Sequence, residues 1–422
     1  MPIPDPDPAA VPDAVPGPVP DRSRPRPSPA AGAGRGAGPA GEEPGDIAAL
    51  AAGAGVRRVH LLAWRDLDDP EAGGSEVHAS TIARIWAGAG IEVTMRTSHA
   101  SGGPAEVTRD GYRVIRRAGR HLVFPRAPLA ELAGRHGPRD ALVEIWNGMP
   151  FLSPLWARGP RVVWLHHVHD EMWDMVLPRP LAAAGKLVER RLAPPLYRRT
   201  PVVTLAESSR RELVDDLGLR AADVHVVAPG IDPRFSPGGE RSPHPLVVAV
   251  GRLVPVKRFD ALVDALVPLK AAHPGLEAVI VGEGYERPAL EARISAAGAG
   301  GWIRLPGRLD DAEVLDLYRR AWVLTGSSVR EGWGMTITEA AACGTPAVVN
   351  RIGGYADAVV DGETGLLAPP GQLGPALDRV LADGSLRAGL GRAALERARR
   401  FTWEATALGT FRVLADAARR RR

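Results

Sequence analysis

Two carboxylates, two cations and a set of glycines in the second half of the chain have the types and spacing to grip an anionic ligand. In "VREGWGMTITEAAACGTPAVV" (329–349) seven residues separate Glu331 from Glu339, and Gly332 and Gly334 follow the first. The pattern predicts a helix from Met335 to Cys343, with Gly344 as its left-handed stop and Pro346 beyond. Glu339 then lies one turn inside the helix, and Glu331 stands on the loop that feeds its N-terminus. The free amides of Met335, Thr336 and Ile337 point out of that N-terminus, which suits a phosphate. Upstream, "GRLVPVKRFD" sets Arg252 and Lys257 five apart across a turn after an apolar run. Both belong at the carboxyl edge of the second sheet, beside the Glu331 loop. Two cations and a helix N-terminus can hold a diphosphate without a metal. Taken alone the same Arg and Lys read equally as surface salt-bridge partners; beside the glutamates the anion site is the better reading.

Other motifs are weaker. "WLHHVHDEMWD" (164–174) offers His166, His167 and His169, followed by Asp170 and Glu171. Spacings of one and two along an extended segment point the imidazoles to different faces, and no thiolate is near, so no metal site is expected. "DLDD" (66–69) precedes a Gly-rich loop and reads as solvated. "VGEGYER" has Gly282 and Gly284, but Arg287 stands where a dinucleotide fingerprint needs its third glycine. Neither a Gly-x4-Gly-Lys-Ser/Thr loop nor a Gly-x-Ser-x-Gly elbow occurs, which sets ATPase and esterase readings aside.

These residues need a scaffold of alternating strands and helices, and the chain supplies one from residue 56 onward. Strands are expected at "VRRVHLLAW" (56–64), "IEVTMRT", "ALVEIW", "RVVWLHH" and "PVVTLAE", then at "PLVVAVGRL" (245–253), "LEAVIVGEG", "WIRLPGR" and "AWVLTG". Between the first two, Val77, Ile82, Ile85 and Trp86 recur at helical spacing after the loop "PEAGGSE". In the second half Phe259, Leu262, Val263 and Leu266 mark the buried face of a helix. "GIDPRFSPGGERSPHP" (230–245) reads as a linker. The expected organisation is a disordered tail (1–55), a first domain (56–236), a second domain (237–400) and a final helix (401–422) returning to the first. Two doubly wound domains facing each other would form one cleft at their strands' carboxyl ends.

The tail expectation rests on 13 of the 40 prolines lying in residues 1–45 without apolar periodicity. Of 422 residues, 53 are basic and 49 acidic, a net charge of +4, yet "KLVERRLAPPLYRRT" (186–200) holds five basic residues and "RRRR" closes the chain. Such stretches are either solvated helix faces or a peripheral patch for anionic membrane. Nucleic acid is not expected as a partner, since no recognition motif accompanies the charge. A lone Cys343 and no run of membrane-spanning length suit a cytoplasmic protein, at most peripheral at the inner face of the plasma membrane.

With these residues in view, the chain resembles the retaining glycosyltransferases of family 4 over about residues 57–415. The resemblance is carried by "GRLVPVK", "VGEGYERPALE", "LPGRLDDAEVLDLY", "REGWGMTITEAAACGTPAVV", "IGGYADAVVDGETGLL" and "FTW", and more loosely by "AGGSEVH", "VVWLHH" and "APGIDPRF". It implies an α/β GT-B fold, two facing Rossmann-like domains with parallel sheets and a cleft between them. It implies transfer of a hexose from a nucleoside diphosphate sugar, such as a UDP- or GDP-hexose, to a hydroxyl acceptor, with no cofactor. By the same resemblance Glu331 contacts the transferred sugar, Glu339 the ribose, and Arg252 and Lys257 the diphosphate. The backbone at Arg308 and Leu309 lies near the base. Gly73 and Gly74 admit the diphosphate or acceptor, Gly334, Met335 and Thr336 belong to the donor site, and His166, with His167 second, stands near the donor sugar. Ala206 and the pair Ala228–Pro229 depart from the family pattern near the cleft. An epimerase or hydrolase acting on the same nucleotide sugar, or a silent binding module, are the alternative readings.

Overall fold

Short β-branched runs bounded by Gly and Pro form the strands, and the intervening stretches close back over them as helices. In the computed structural model the described residues are 45–99 and 103–421. The first sheet contains β1 (Arg58–Leu62), β2 (Glu92–Thr97), β3 (Glu106–Arg109), β4 (Tyr112–Arg116), β5 (Ala141–Ile145), β6 (Arg161–Trp164), β7 (Val202–Thr204) and β8 (Val224–Val226). Its order is β3-β4-β2-β1-β5-β6-β7-β8, parallel except for the β3–β4 hairpin at one edge. The second sheet contains β9 (Leu246–Val250), β10 (Glu277–Val281), β11 (Ile303–Gly307), β12 (Val323–Gly326), β13 (Ala347–Asn350) and β14 (Gly365–Ala368). It runs β11-β10-β9-β12-β13-β14 and is parallel throughout. In each sheet the winding reverses at one point, between β1 and β5 and between β9 and β12. Ligands bind outside such points in doubly wound folds. The loop after β1 carries Gly73, the loop after β9 carries Arg252 and Lys257, and the loop after β12 carries Glu331.

The helix Phe259–Leu266 buries Phe259, Leu262, Val263 and Leu266. The helix Gly74–Gly88 is turned slightly from its expected face: Ala79, Ile82, Ala83 and Trp86 go inside, while Val77 is exposed and His78 is buried in its stead. The last helix, Trp403–Arg419, packs on the first sheet, where Phe411 meets Trp86 at 5.2 Å and the Trp86 indole donates to the Ala407 carbonyl. The chain passes between the two sheets at Ile231 and again at Thr402, and these strands of chain lie side by side as a parallel bridge.

One boundary needs correction. The tail was expected through residue 55, but Gly45–Ala54 is a helix. Ile47, Leu50, Ala51 and Ala54 form an i, i+3, i+4, i+7 stripe packed in the core shared with Trp403–Arg419. The proline-rich stretch before it masked that short stripe; residues 1–44 lie outside the described residues. No helix among the described residues is long and apolar enough to cross a membrane.

Candidate active site

The helix after the Glu331 loop spans Met335–Ala342, and Gly334 precedes it at φ +97°, a conformation that favours glycine. A methyl there would also stand 2.9 Å from Ile337 and from the Tyr355 ring. The Ile337 amide already donates to the Gly334 carbonyl at 3.0 Å, so the open donors at this end are Met335 and Thr336, one fewer than expected.

Glu331 is held from three sides. Lys257 is ion-paired to its Oε1, the Ser328 hydroxyl donates at 2.9 Å, and the Tyr355 hydroxyl lies 3.4 Å away. Burial works to raise this carboxyl, but the Lys257 ammonium and the Ser328 hydroxyl outweigh it and keep it below the usual carboxylate range. Lys257 ends the 3-10 turn Pro255–Lys257, and its carbonyl accepts from Ser327 Oγ at 2.7 Å. The cation is thus fixed at its root as well as its tip.

The glycine loop of the first sheet closes over this group. A side chain at Gly73 would stand 3.8 Å from Arg252 Nε, and one at Gly74 only 3.1 Å from Met335 Sδ. Gly73 donates its amide to Glu76 at 2.8 Å. The bare glycines therefore let the two halves approach. Arg308 also reaches across, donating to the Pro70 carbonyl at 2.9 Å, while Leu309 joins the apolar cluster that includes Tyr318 and Ile337. Glu339 lies 3.1 Å from the Tyr318 hydroxyl, and burial pushes its carboxyl up to about 7.

The histidines separate. His166 is buried against His78, ring centroids 4.7 Å apart, and its Nε2 has no hydrogen-bond partner among the described residues. Burial, and then His78, hold it far below the ordinary histidine range. His167 instead faces the Glu331 loop: a side chain at Gly332 would stand 3.4 Å from its Nδ1, and 2.8 Å from the His166 carbonyl oxygen. Burial lowers His167 to about 4, and Glu331 acts in the opposite direction. Of the two candidates, His167 is the one the fold brings beside Glu331 and Lys257; His166 turns into the first core. The described residues with ligand-like spacing for a metal lie elsewhere, at His60, Glu131 and His136. There both imidazoles bond one carboxylate oxygen, at 2.9 and 2.6 Å, and Arg139 takes the other at 2.8 Å, so the carboxylate is already saturated by cationic and N–H groups.

Residues 72–235 match the family described as Glycosyltransferase Family 4, and residues 232–397 match that described as Glycosyl transferases group 1. A D-inositol 3-phosphate glycosyltransferase of Kribbella flavida is 34% identical, covering 84% of this chain and 94% of its own. That of Acidothermus cellulolyticus is 30% identical over 88% and 94%. The chain belongs to glycosyltransferase family 4. Among solved structures, sucrose-phosphate synthase from Thermosynechococcus elongatus has a TM-score of 0.72 at 21% identity, covering 84% of this chain and 97% of that one. Anabaena HepE, in complex with UDP and glucose, has a TM-score of 0.63 at 19% identity over the same shares. These likenesses carry the fold, which is GT-B.

Several residues of this family 4 glycosyltransferase escaped the sequence reading. Arg65, 5% exposed, bonds Glu71 at 3.0 Å and Glu76 at 3.3 Å and stands near Arg252. Arg330 reaches from the second half to the Val168 carbonyl at 3.1 Å and to Glu212 at 2.7 Å. Neither has a spacing signal, since each partner lies on a separate element. The "DLDD" loop is not solvated as expected: Asp66 and Asp69 are buried, Asp66 accepting from Arg116 at 2.7 and 2.9 Å and Asp69 from Arg120 at 2.8 Å. Their charges are neutralised within the protein, which a sequence window without the two arginines does not reveal.

Proposed function

We propose that the chain moves a hexosyl group from a nucleoside diphosphate sugar to a hydroxyl acceptor, with retention of configuration and without a bound metal. The observation that carries this reading is the Lys257–Glu331 pair set at the open end of Met335–Ala342, with Arg252 beside it. The Arg252 side chain makes no ion pair or hydrogen bond among the described residues, so a guanidinium and two amides are free for a diphosphate. In this reading they stabilise the charge that develops on the leaving phosphate. Glu331 contacts sugar hydroxyls, Glu339 accepts from the ribose, and His167 stands near the transferred sugar. Because Glu331 is already engaged by Lys257 and Ser328, it acts as a positioning group. The C1–O bond to phosphate breaks and a C1–O bond to the acceptor forms on the same face. The acceptor's proton passes to the departing phosphate oxygen. The relatives' names favour a phosphorylated polyol as acceptor, and HepE's complex with UDP and glucose favours a UDP-hexose as donor.

The test is a panel of nucleoside diphosphates and nucleotide sugars with and without EDTA, read by melting temperature and by product analysis. A ligand bound only by the folded state raises the melting point by mass action. One donor is expected to shift it and to yield a glycosylated product with an added polyol phosphate. A shift that vanishes in EDTA overturns metal independence; nucleotide sugar consumed equally without acceptor points to the epimerase or hydrolase; no shift at all removes the donor site.

Glu339 adds a pH dependence. Its carboxyl titrates near 7, so the ionised acceptor for the ribose is lost as pH falls through that point. Affinity for a nucleotide sugar, whose diphosphate has no terminal ionisation in this range, is expected to fall up to about tenfold per pH unit below it. Calorimetric titration of wild type and Glu339→Gln checks this: the slope should disappear in the variant. The sign for folding is opposite. The raised carboxyl binds its proton more tightly in the folded state, so stability falls as pH rises from the ordinary carboxylate range to about 7.

A further inference from the structure

Large apolar side chains left in water are not spread evenly over this molecule. Among the described residues, eight of the thirteen exposed ones are leucines on or beside helices that cover one face of the first sheet. Leu122, Leu129 and Leu132 belong to Val123–Leu132 and the residue before it; Leu155 belongs to Ser153–Trp156. Leu181, Leu187, Leu192 and Leu196 follow along Arg179–Leu187, the π-helical turn Val188–Leu192 and Pro194–Tyr197. These elements touch in succession, so the leucines lie along one side of the first sheet. Apolar exposure concentrated in this way marks an interaction surface.

The sequence of the last segment explains why leucine is outside. Its inner side is taken by Ala182, Gly185, Glu189, Ala193 and Tyr197, spaced at three and four residues. Gly185 seats directly on the Trp173 ring, where a methyl would approach to 2.7 Å. The acid of the segment, Glu189, is 1% exposed and spends its oxygens on the amides of His169 and Asp170 and on the Trp173 indole. The outer side therefore shows leucine, small apolar residues and arginine, while Lys186 and Arg190 are tied to Asp174 and Asp170. Arg179, Arg191, Arg198 and Arg199 have no acidic partner among the described residues, nor do Arg126, Arg135 and Arg158 on the neighbouring elements.

We propose that this face docks on an anionic lipid bilayer, its leucines entering the acyl boundary and its arginines meeting the lipid phosphates. Interfacial helices bind in this way, by apolar area and charge together. A second copy of the chain fits the face poorly, because a symmetric contact would set unpaired arginines against unpaired arginines. The proposal is independent of the transfer reaction.

The test is sedimentation of the full chain with vesicles of phosphatidylcholine containing phosphatidylglycerol, against phosphatidylcholine alone. Partitioning is expected to be at least about tenfold stronger on the anionic vesicles and to weaken with salt. Leu181→Ser with Leu187→Ser and Leu192→Ser should reduce it about tenfold. Arg191→Glu with Arg198→Glu and Arg199→Glu should abolish the preference for anionic lipid, with the melting temperature and its nucleotide-driven shift unchanged in both variants. Equal partitioning on both vesicles, binding to neither, or wild-type partitioning by the leucine variant overturns the proposal. So does concentration-dependent dimerisation that the leucine variant abolishes, which would assign the face to a second copy.

Discussion

Lys257→Ala is expected to lower kcat/KM for a nucleotide-sugar donor about a thousandfold, or roughly 4 kcal/mol of transition-state stabilisation. The lysine does two things at once. In the proposed reaction its ammonium faces the leaving phosphate, and removing one such preorganised donor costs about a hundred- to a thousandfold by itself. It also holds Glu331, and the largest single influence on that carboxyl is burial, which acts to protonate it. Without Lys257 the carboxylate keeps only the Ser328 and Tyr355 hydroxyls. Its pKa then moves up, so the variant's residual kcat/KM should rise with pH more steeply than that of wild type, which shows the Glu339 ionisation alone. Lys257→Arg, which restores charge with different reach, should recover part of the rate and most of the wild-type profile. Steady-state kinetics across about pH 6–9 read both effects. A loss below about tenfold, or a profile unchanged by the alanine, would falsify the double role.

Where local chemistry decides the structure, the chain was readable. The helix at Met335 with its stop at Gly344, the buried face of Phe259–Leu266 and the parallel strands each follow from a few neighbouring residues. The misses share a different cause. On an extended segment His166 and His167 point opposite ways, and which way is the cleft depends on His78 and Trp403, far off in sequence. The clasp on Glu331 likewise brings in Tyr355 from the next strand–helix unit, which no window around 331 contains. The edge hairpin β3–β4 was legible and overlooked: Asp110-Gly111 sits at φ +45° and +85°, the Asp-Gly pair favoured by tight hairpins. The parallel-sheet expectation hid it. Family resemblance supplied the roles of Arg252 and Glu339; spacing supplied only their neighbourhood.

Gly354→Ala should separate position from chemistry, because it removes no functional group and yet moves one. Gly354 lies near the start of the short helix Gly353–Ala358, pressed on the backbone of the Glu331 loop. An added methyl would stand 2.5 Å from the Glu331 carbonyl oxygen and 2.6 Å from both Gly332 C and Trp333 N. All three are backbone atoms, so no side-chain rotation relieves the contact. The loop must retreat by about 1 Å to restore ordinary packing, and a displacement of that size can cost on the order of a hundredfold in rate. Overpacking should also cost about 1–3 kcal/mol of stability. The expected result is a folded protein with kcat down about a hundredfold and donor affinity changed far less, since Arg252 and Glu339 lie on other elements. Gly389→Ala is the matched control. Gly389 is inside the helix Gly384–Ala398 with nothing within 4 Å of the added methyl, so that change should leave the rate alone and raise stability by up to about 1 kcal/mol. If Gly354→Ala turns over at the rate of the Gly389→Ala control, the Glu331 loop tolerates displacement, and the clasp by Lys257, Ser328 and Tyr355 is not what places the carboxylate for transfer.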